Sequence, residues 1–168
     1  MSDAKAAGRE LAPLVLRLAL GVAFLLHGAQ KLDLLRPDSA LPKTALSDVS
    51  FDATRARIEG MADKWALEGW VPEAYKRPLT WGAAVAELVG GLLVALGAFT
   101  RVGALSIASV MGVAVWKVHG PHGFFAQNSG YEYNALILAV CAYLLLAGPG
   151  KLALDSTLLK KKEGPPQK

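Results

Sequence analysis

The hydrophobic residues of this 168-residue chain are gathered into four blocks, and the stretches between them have an ordinary polar composition. A block that stays apolar for about 20 residues is typical of a helix that crosses a bilayer, because at 1.5 Å per residue it spans a hydrocarbon core of ~30 Å. The pattern predicts spanning helices over residues 11–32, 80–99, 102–118 and 132–147. We therefore expect an all-α integral membrane protein, an antiparallel four-helix bundle in a lipid bilayer.

The segments between the predicted helices differ greatly in length. Only Thr100 and Arg101 join the second helix to the third, which predicts a tight antiparallel hairpin. Gly148-Pro149-Gly150 ends the fourth helix, since neither residue type continues a helix well. Residues 1–10 are small and polar and are expected to be a flexible start. Residues 156–168 form a basic tail.

Residues 33–79 form a long loop between the first two helices, rich in Pro, Asp and Arg. Within it, residues 54–67 have the spacing of a short amphipathic helix, with Ile58, Met61, Ala62 and Trp65 toward one side. The tryptophans at 65 and 70 lead us to expect that this helix lies on the membrane surface.

Lys and Arg in the short flanks predict the orientation of the bundle. The first helix follows Lys5 and Arg9, the hairpin holds Arg101, and Lys151 and a lysine run follow the fourth helix. Positive flanks mark the cytoplasmic side, so we expect both termini in the cytoplasm and the loops 33–79 and 119–131 on the outer side. Arg17 interrupts the first apolar block, so we read that block as a retained helix and not as a cleaved leader.

The net charge of +4 and the single cysteine bear on two classes of function, nucleic-acid binding and dithiol redox chemistry. Much of the positive excess lies in the tail, where it is a topology and anionic-lipid signal, and we expect no nucleic-acid partner. The lone Cys141 excludes a dithiol relay within this chain. No flavin, haem or iron–sulfur motif is visible.

Ionisable residues lie inside or at the rims of the apolar blocks, although each costs about 3 kcal/mol or more at the centre of a bilayer. The helical rise places His27 and Glu87 at similar depths, ~8 and ~10 Å below the outer ends of their helices. Lys31 shares a helix face with Gly21 and Gly28, and Glu87 shares one with Ala83 and Gly91, which predicts that the polar cluster points into the bundle. We take His27, Lys31 and Glu87 as catalytic candidates, with His27 and Glu87 also as cofactor ligands. Substrate-binding candidates at the outer rim are Lys117, His119, His122 and Glu132.

Structural roles for these residues stay open. Glu87 could simply pair with His27 or Lys31 and hold two helices in register. Arg17, near the inner end, is read as structural, by snorkelling or by pairing with Asp155. The spacing of His119 and His122 resembles a metal-ligand pair, but the intervening Gly-Pro makes a turn and no third local ligand follows, so we expect no metal.

Several stretches of the chain, in this order, resemble the DoxX/DoxD family: RLALGVAFLLHGAQK (17–31), AELVGGLLVALGAFTR (86–101), HGFF (122–125), GYEYNALIL (130–138) and GPGKLALD (148–155). The resemblance implies a four-helix bundle in the bacterial or archaeal inner membrane. Some family members resemble the small subunits of thiosulfate:quinone oxidoreductase. The chain departs from the family at Ala153, where relatives often have Ser, and in its larger 33–79 loop.

The leading expectation for function is an inner-membrane oxidoreductase subunit that passes electrons from a small sulfur compound to quinone in the outer half of the bundle. A quinone headgroup needs hydrogen-bond donors and proton carriers, and His27, Lys31 and Glu87 are of the right types. Electron transfer would require a bound quinone or a partner subunit, and a homo-oligomer is also open. One alternative is a non-enzymatic anchor or assembly subunit that recruits soluble partners through the outer loop. Another is a small membrane protein that binds a lipid or other ligand.

Overall fold

A computed structural model describes residues 2–35, 50–64 and 71–156, with backbone alone at 2–10 and 64. The elements of these residues are all helices. The five α-helices are α1 (Ser2–Lys31), α2 (Phe51–Lys64), α3 (Glu73–Leu96), α4 (Thr100–Val113) and α5 (Glu132–Ala147). A π-helix (Ala114–His119) and a 3₁₀ turn (Gly120–His122) continue α4, and another 3₁₀ turn (Ala126–Asn128) precedes α5. The prediction of an all-α chain is confirmed.

Four of the helices pack side by side as a bundle. α1 lies along α3, α3 along α4 and α4 along α5, with a smaller contact between α1 and α5. Their shared core holds Phe24, Val94, Ile107, Cys141 and Leu144. We call the end of the bundle that carries α2 the α2 end, and the other the Arg17 end.

Three helical segments are long and apolar enough to cross a membrane: Leu11–Lys31, Glu73–Leu96 and Thr100–His122. The fourth, α5, is apolar but shorter. Large apolar side chains on the outside of the bundle, such as Val15, Leu92, Leu105 and Leu146, are exposed. This exposure suits a lipid environment, because so wide an apolar surface would be unfavourable in water. The sidedness of the bundle stays a prediction.

The observed helices differ from the expected spans mainly at helix starts, where the first helical turns are polar. α3 begins at Glu73, seven residues before the expected start at residue 80. It follows Pro72, and its first turns carry Glu73, Lys76 and Arg77, which an apolar-block criterion leaves out. α1 likewise begins within the segment expected to be a flexible start.

Glycines bring the neighbouring helices of the bundle into close contact. A Cβ added at Gly91 would lie 2.7 Å from the carbonyl oxygen of Gly21, and one added at Gly103 would lie 2.8 Å from the carbonyl oxygen of Gly90. The adjacent pair Gly90-Gly91 thus turns one glycine toward α4 and the other toward α1. Close backbone approach through small residues is a usual way for helices to associate in lipid.

Buried polar groups join the Arg17 end of the bundle. Arg17 is only 1% exposed and donates to the carbonyl oxygen of Leu152 at 2.6 Å, while also interacting electrostatically with Asp155. The Asp155 carboxylate accepts from the backbone N–H groups of Phe99 (2.6 Å) and Thr100 (2.9 Å), which begin α4. A carboxylate that satisfies such N–H groups caps a helix. Arg17 therefore has a structural role here.

The α2 helix packs against the bundle. Its Ile58 and Ala62 are buried, and the Thr54 hydroxyl donates to the carbonyl oxygen of Leu32 at 3.0 Å. Arg57 donates to the Asp33 carboxylate at 3.1 Å. The apolar side of α2 therefore faces the ends of α1 and α3, and its position at the membrane surface stays a prediction. Trp65 and Trp70 lie outside the described residues.

Candidate ligand-binding cleft

A cleft of about 740 Å³ lies between α3 and α4 in the half of the bundle nearer α2. α1 contributes Lys31 to its walls and α5 contributes Asn134. Its other walls come from α3 (Pro78, Leu79, Gly82, Ala83, Ala86, Glu87) and from α4 with the turns that continue it (Ser106, Ser109, Val110, Met111, Val113, Ala114, Lys117, Val118, His119). The lining is mostly apolar, so the few polar groups stand out as the sites where a ligand could be oriented.

An ion pair between Lys31 and Glu87 lies at the cleft. Glu87 is 2% exposed, and the Lys31 Nζ lies 2.7 Å from its Oε1 and 2.6 Å from its Oε2. Nζ donates a hydrogen bond to Oε1, and Oε2 has the ionic contact but no aligned hydrogen bond. This confirms that Glu87 has a partner on α1, one of the two pairings left open by the sequence.

Local sequence explains how the two charges meet. Lys31 is the last residue of α1, one turn after Gly28, and a Cβ added at Gly28 would lie 2.8 Å from the Leu88 Cβ. α1 therefore touches α3 directly beside Glu87. Because Lys31 ends its helix there, its side chain reaches across to Glu87 while a quarter of it stays exposed, at 24%.

His27 lies apart from this ion pair. It is exposed on α1, where its ring meets Phe24 edge-on at 6.3 Å between centroids, and it does not line the cleft. The expected convergence of His27 and Glu87 is therefore not seen. The two have similar depth, but Phe24, Gly28 and Lys31 form the side of α1 that meets α3, and His27 is rotated about 100° from Gly28.

The π-helix Ala114–His119 brings two rim residues to the cleft wall. Lys117 and His119, two of the four predicted rim residues, both line the cleft. Lys117 Nζ lies 3.8 Å from the ring centroid of Trp116. His119 Nδ1 lies 2.7 Å from the carbonyl oxygen of Ser129, and since a carbonyl only accepts, Nδ1 donates this hydrogen bond. Single π-helical turns often occur at functional sites.

The two remaining rim candidates hold the loop before α5 and do not line the cleft. The Glu132 Oε2 accepts from the backbone N–H of Ala126 at 3.0 Å. His122 Nδ1 donates to the carbonyl oxygen of Val118 at 2.9 Å. Neither side chain is in the cleft wall, so the structure divides the four substrate-binding candidates into two pairs.

Sequence reasoning missed a polar residue of the cleft on α5. Asn134 is buried, and its amide nitrogen lies 3.3 Å from the Met111 sulfur. The signal was present, since Asn134 is an amide in the first turn of α5, two residues after Glu132 and directly before an apolar run. Ser106 and Ser109 also line the cleft, but their hydroxyls donate to carbonyls of their own helix at 3.0 and 2.8 Å.

Within the described part of the chain, no three His, Cys, Asp or Glu side chains come together as a metal-ligand set. In particular, His119 and His122 use their Nδ1 atoms on different carbonyls.

The apolar helices, their glycine contacts and the polar groups in the cleft define a membrane-embedded helical bundle with an internal polar site. The DoxX family model matches residues 12–120, more than half of the chain, and the chain belongs to the DoxX family.

Two relatives come from Haemophilus influenzae, and both are uncharacterized proteins. One is 30% identical over 115 residues, which cover 62% of this chain and 76% of the relative. The other is 33% identical over 87 residues, which cover 50% of this chain and 65% of the relative. No solved structure matches the chain.

Proposed function

We propose that this DoxX protein is an oxidoreductase subunit of the bacterial or archaeal inner membrane that passes electrons from a small sulfur compound to a quinone bound in the α3–α4 cleft. The observation that carries the proposal is the Lys31–Glu87 ion pair, buried at the wall of an otherwise apolar cleft. Intramembrane ionisable residues with a named partner usually mark a functional site.

The cleft fits a quinone in size and in chemistry. Its volume of about 740 Å³ is within the usual range for sites of small molecules and cofactors, ~300–1,000 Å³. A Lys ammonium has three N–H donors, and Glu87 Oε1 takes one from Lys31, so a ligand carbonyl can accept another. The apolar residues of α3 and α4 would hold the ring and tail.

The reaction would use the ion pair to handle protons. A bound quinone supplies the capacity to accept two electrons and two protons. Lys31 would donate a hydrogen bond and one proton to the ligand oxygen. Glu87, in contact with the same nitrogen, would return to Lys31 a proton taken up from water, and the second proton would follow the same route. The two electrons would come from two anions of the sulfur compound, which would be joined by a new sulfur–sulfur bond. Lys117 and His119 would attract an anionic donor to the α2 end.

Substitution of Glu87 tests the proposal. The protein is reconstituted in nanodiscs with thiosulfate and a short-chain quinone, and quinol formation is followed by absorbance. Glu87→Gln keeps the shape but removes the charge, and we expect quinol formation to fall at least about 100-fold, the lower bound for losing a positioned proton carrier. Glu73→Gln is the matched control, since Glu73 lies on the same helix but is exposed and outside the cleft.

If Glu87→Gln formed quinol as fast as the wild type, the proposed role of Glu87 in proton transfer would be wrong. Quinone binding without turnover in the wild type would instead support the second candidate, a non-enzymatic membrane protein that binds an amphiphilic lipid or other ligand. The apolar lining of the cleft favours this second candidate as much as it favours a quinone-reducing enzyme. The anchor or assembly role would depend on the 33–79 loop. The described helix of that loop, α2, packs its apolar side against the bundle, so this side is not available to a partner.

A further inference from the structure

We propose that the ligand enters the cleft sideways from the lipid, between α3 and α4, and is an amphiphile with a hydrogen-bond-accepting headgroup and an apolar tail. This inference rests on the proposed function only in taking the cleft as the functional site. It replaces the sequence-based picture of a pocket that opens to the outer face.

The exposed residues of the cleft wall show where it opens. Leu79 and Gly82 on α3 and Ser109 and Val113 on α4 line the cleft and are exposed. They lie in the two segments Glu73–Leu96 and Thr100–His122, which are apolar and long enough to cross a membrane. The exposed side of a spanning helix faces acyl chains, so this opening faces the lipid.

α3 and α4 are in contact at one end of the cleft and leave it open nearer the α2 end. The helices touch at Gly90 and Gly103, where a Cβ on Gly103 would lie 2.8 Å from the Gly90 carbonyl oxygen. Two turns nearer the α2 end of α3, a Cβ on Gly82 would meet nothing within 4 Å. The cleft follows α4 from Ser106 to Val118, a rise of ~18 Å, which is long enough for an extended acyl or isoprenoid tail.

The polar end of the cleft defines the headgroup. Lys31 offers N–H donors beside a buried carboxylate whose Oε2 lacks an aligned hydrogen bond. A carbonyl or carboxylate headgroup would accept from Lys31. A small water-soluble ion would leave the apolar walls unfilled, whereas a tail would cover them, with the free-energy gain of apolar burial. Quinones and fatty acids share this chemistry.

The test blocks the opening without disturbing the fold. Gly82→Leu places a side chain in open space at the mouth of the cleft, and leucine is a better helix former than glycine. Gly112→Leu is the matched control, because Gly112 is also a helical glycine in open space but does not line the cleft. Val113→Trp is a second block, from the facing helix.

The probes are a photoreactive quinone with an isoprenoid tail and the same quinone without a tail, in phosphatidylcholine nanodiscs with no electron donor. Labelled peptides of α3 and α4 are quantified by mass spectrometry. We expect the tailed probe to label the wild type and Gly112→Leu equally, and to label Gly82→Leu and Val113→Trp at least tenfold less. The tail-less probe should label all four proteins weakly.

Equal labelling of Gly82→Leu and Gly112→Leu by the tailed probe would overturn the lateral route. Strong labelling of every variant by the tail-less probe would overturn it too, since entry would then come from water. Competition separates the two ligand sources. If an unlabelled fatty acid displaces the tailed probe at a concentration at least tenfold lower than an unlabelled quinone does, the lateral amphiphile site stands while the proposed quinone function fails.

Discussion

At the scale of single residues, the Lys31–Glu87 pair is the feature that most needs explanation. A buried ion pair is often no more stabilising than apolar side chains of similar volume, whereas removing one partner leaves a charge uncompensated. Stability alone therefore gives little reason to place Lys31 and Glu87 here. A ligand that bonds to Lys31 gives such a reason.

A double-mutant cycle separates the structural from the functional role of the pair. Lys31→Met alone should lower the free energy of unfolding by about 3–5 kcal/mol, because the Glu87 carboxylate loses its partner. Lys31→Met with Glu87→Leu should recover most of that loss, yet should not bind quinone. Thermal unfolding in detergent and quinone titration measure the two quantities. Full quinone binding by the stable double variant would show that the pair only holds α1 against α3.

The residue scale also shows what the sequence could not predict. The depth of a residue along its helix could be estimated, because a helix rises by a constant 1.5 Å per residue, and this estimate placed His27 and Glu87 at one level. The side of a helix on which a residue lies was harder to assign. Two side chains on neighbouring helices meet only if they agree in both depth and side. His27 has the right depth but points away from α3, and Asn134 was overlooked because one amide barely changes the hydropathy of α5.

At the scale of elements, the Gly90-Gly91 pair sets where α3 meets its neighbours. Gly91 meets Gly21 on α1, and Gly90 meets Gly103 on α4. Both contacts lie one turn from Glu87, toward the Arg17 end. The same pair thus closes one end of the cleft and positions α1 so that Lys31 reaches Glu87.

A methyl group tests this helix contact. Gly91→Ala should destabilise the bundle by about 1–3 kcal/mol, because its Cβ would lie 2.7 Å from the Gly21 carbonyl oxygen and the helices would have to separate. Gly112→Ala meets nothing within 4 Å and should be neutral or stabilising by up to ~1 kcal/mol. The unfolding temperature in detergent distinguishes the two, and equal temperatures would contradict the close contact.

The end of α4 was the element least accessible from the sequence. The apolar block predicted a helix to Val118, but the chain continues through a π-helix and a 3₁₀ turn to His122. Hydropathy identifies apolar residues, but it does not show how many residues each helical turn contains. The widened turn carries Lys117 and His119 into the cleft wall, which the sequence did not show, and their binding of a substrate stays a prediction.

At the scale of the whole molecule, the four apolar blocks were enough to predict an all-α bundle, because length and hydropathy are properties of the sequence itself. The packing of α2 was not predictable in the same way. An apolar stripe with Ile58 and Ala62 suits a membrane surface or a protein surface equally, and the hydrogen bonds from Thr54 and Arg57 to the end of α1 decide for the bundle. The lateral cleft likewise depends on how α3 and α4 diverge.

The central claim is that a quinone binds at Lys31 and Glu87, and native mass spectrometry of protein extracted in native-membrane discs tests it most directly. We predict that the wild type retains a quinone as a bound species of defined mass and that Glu87→Gln, extracted in the same way, has lost it. The account would be contradicted if the wild type held no quinone, or if Glu87→Gln held as much of it as the wild type.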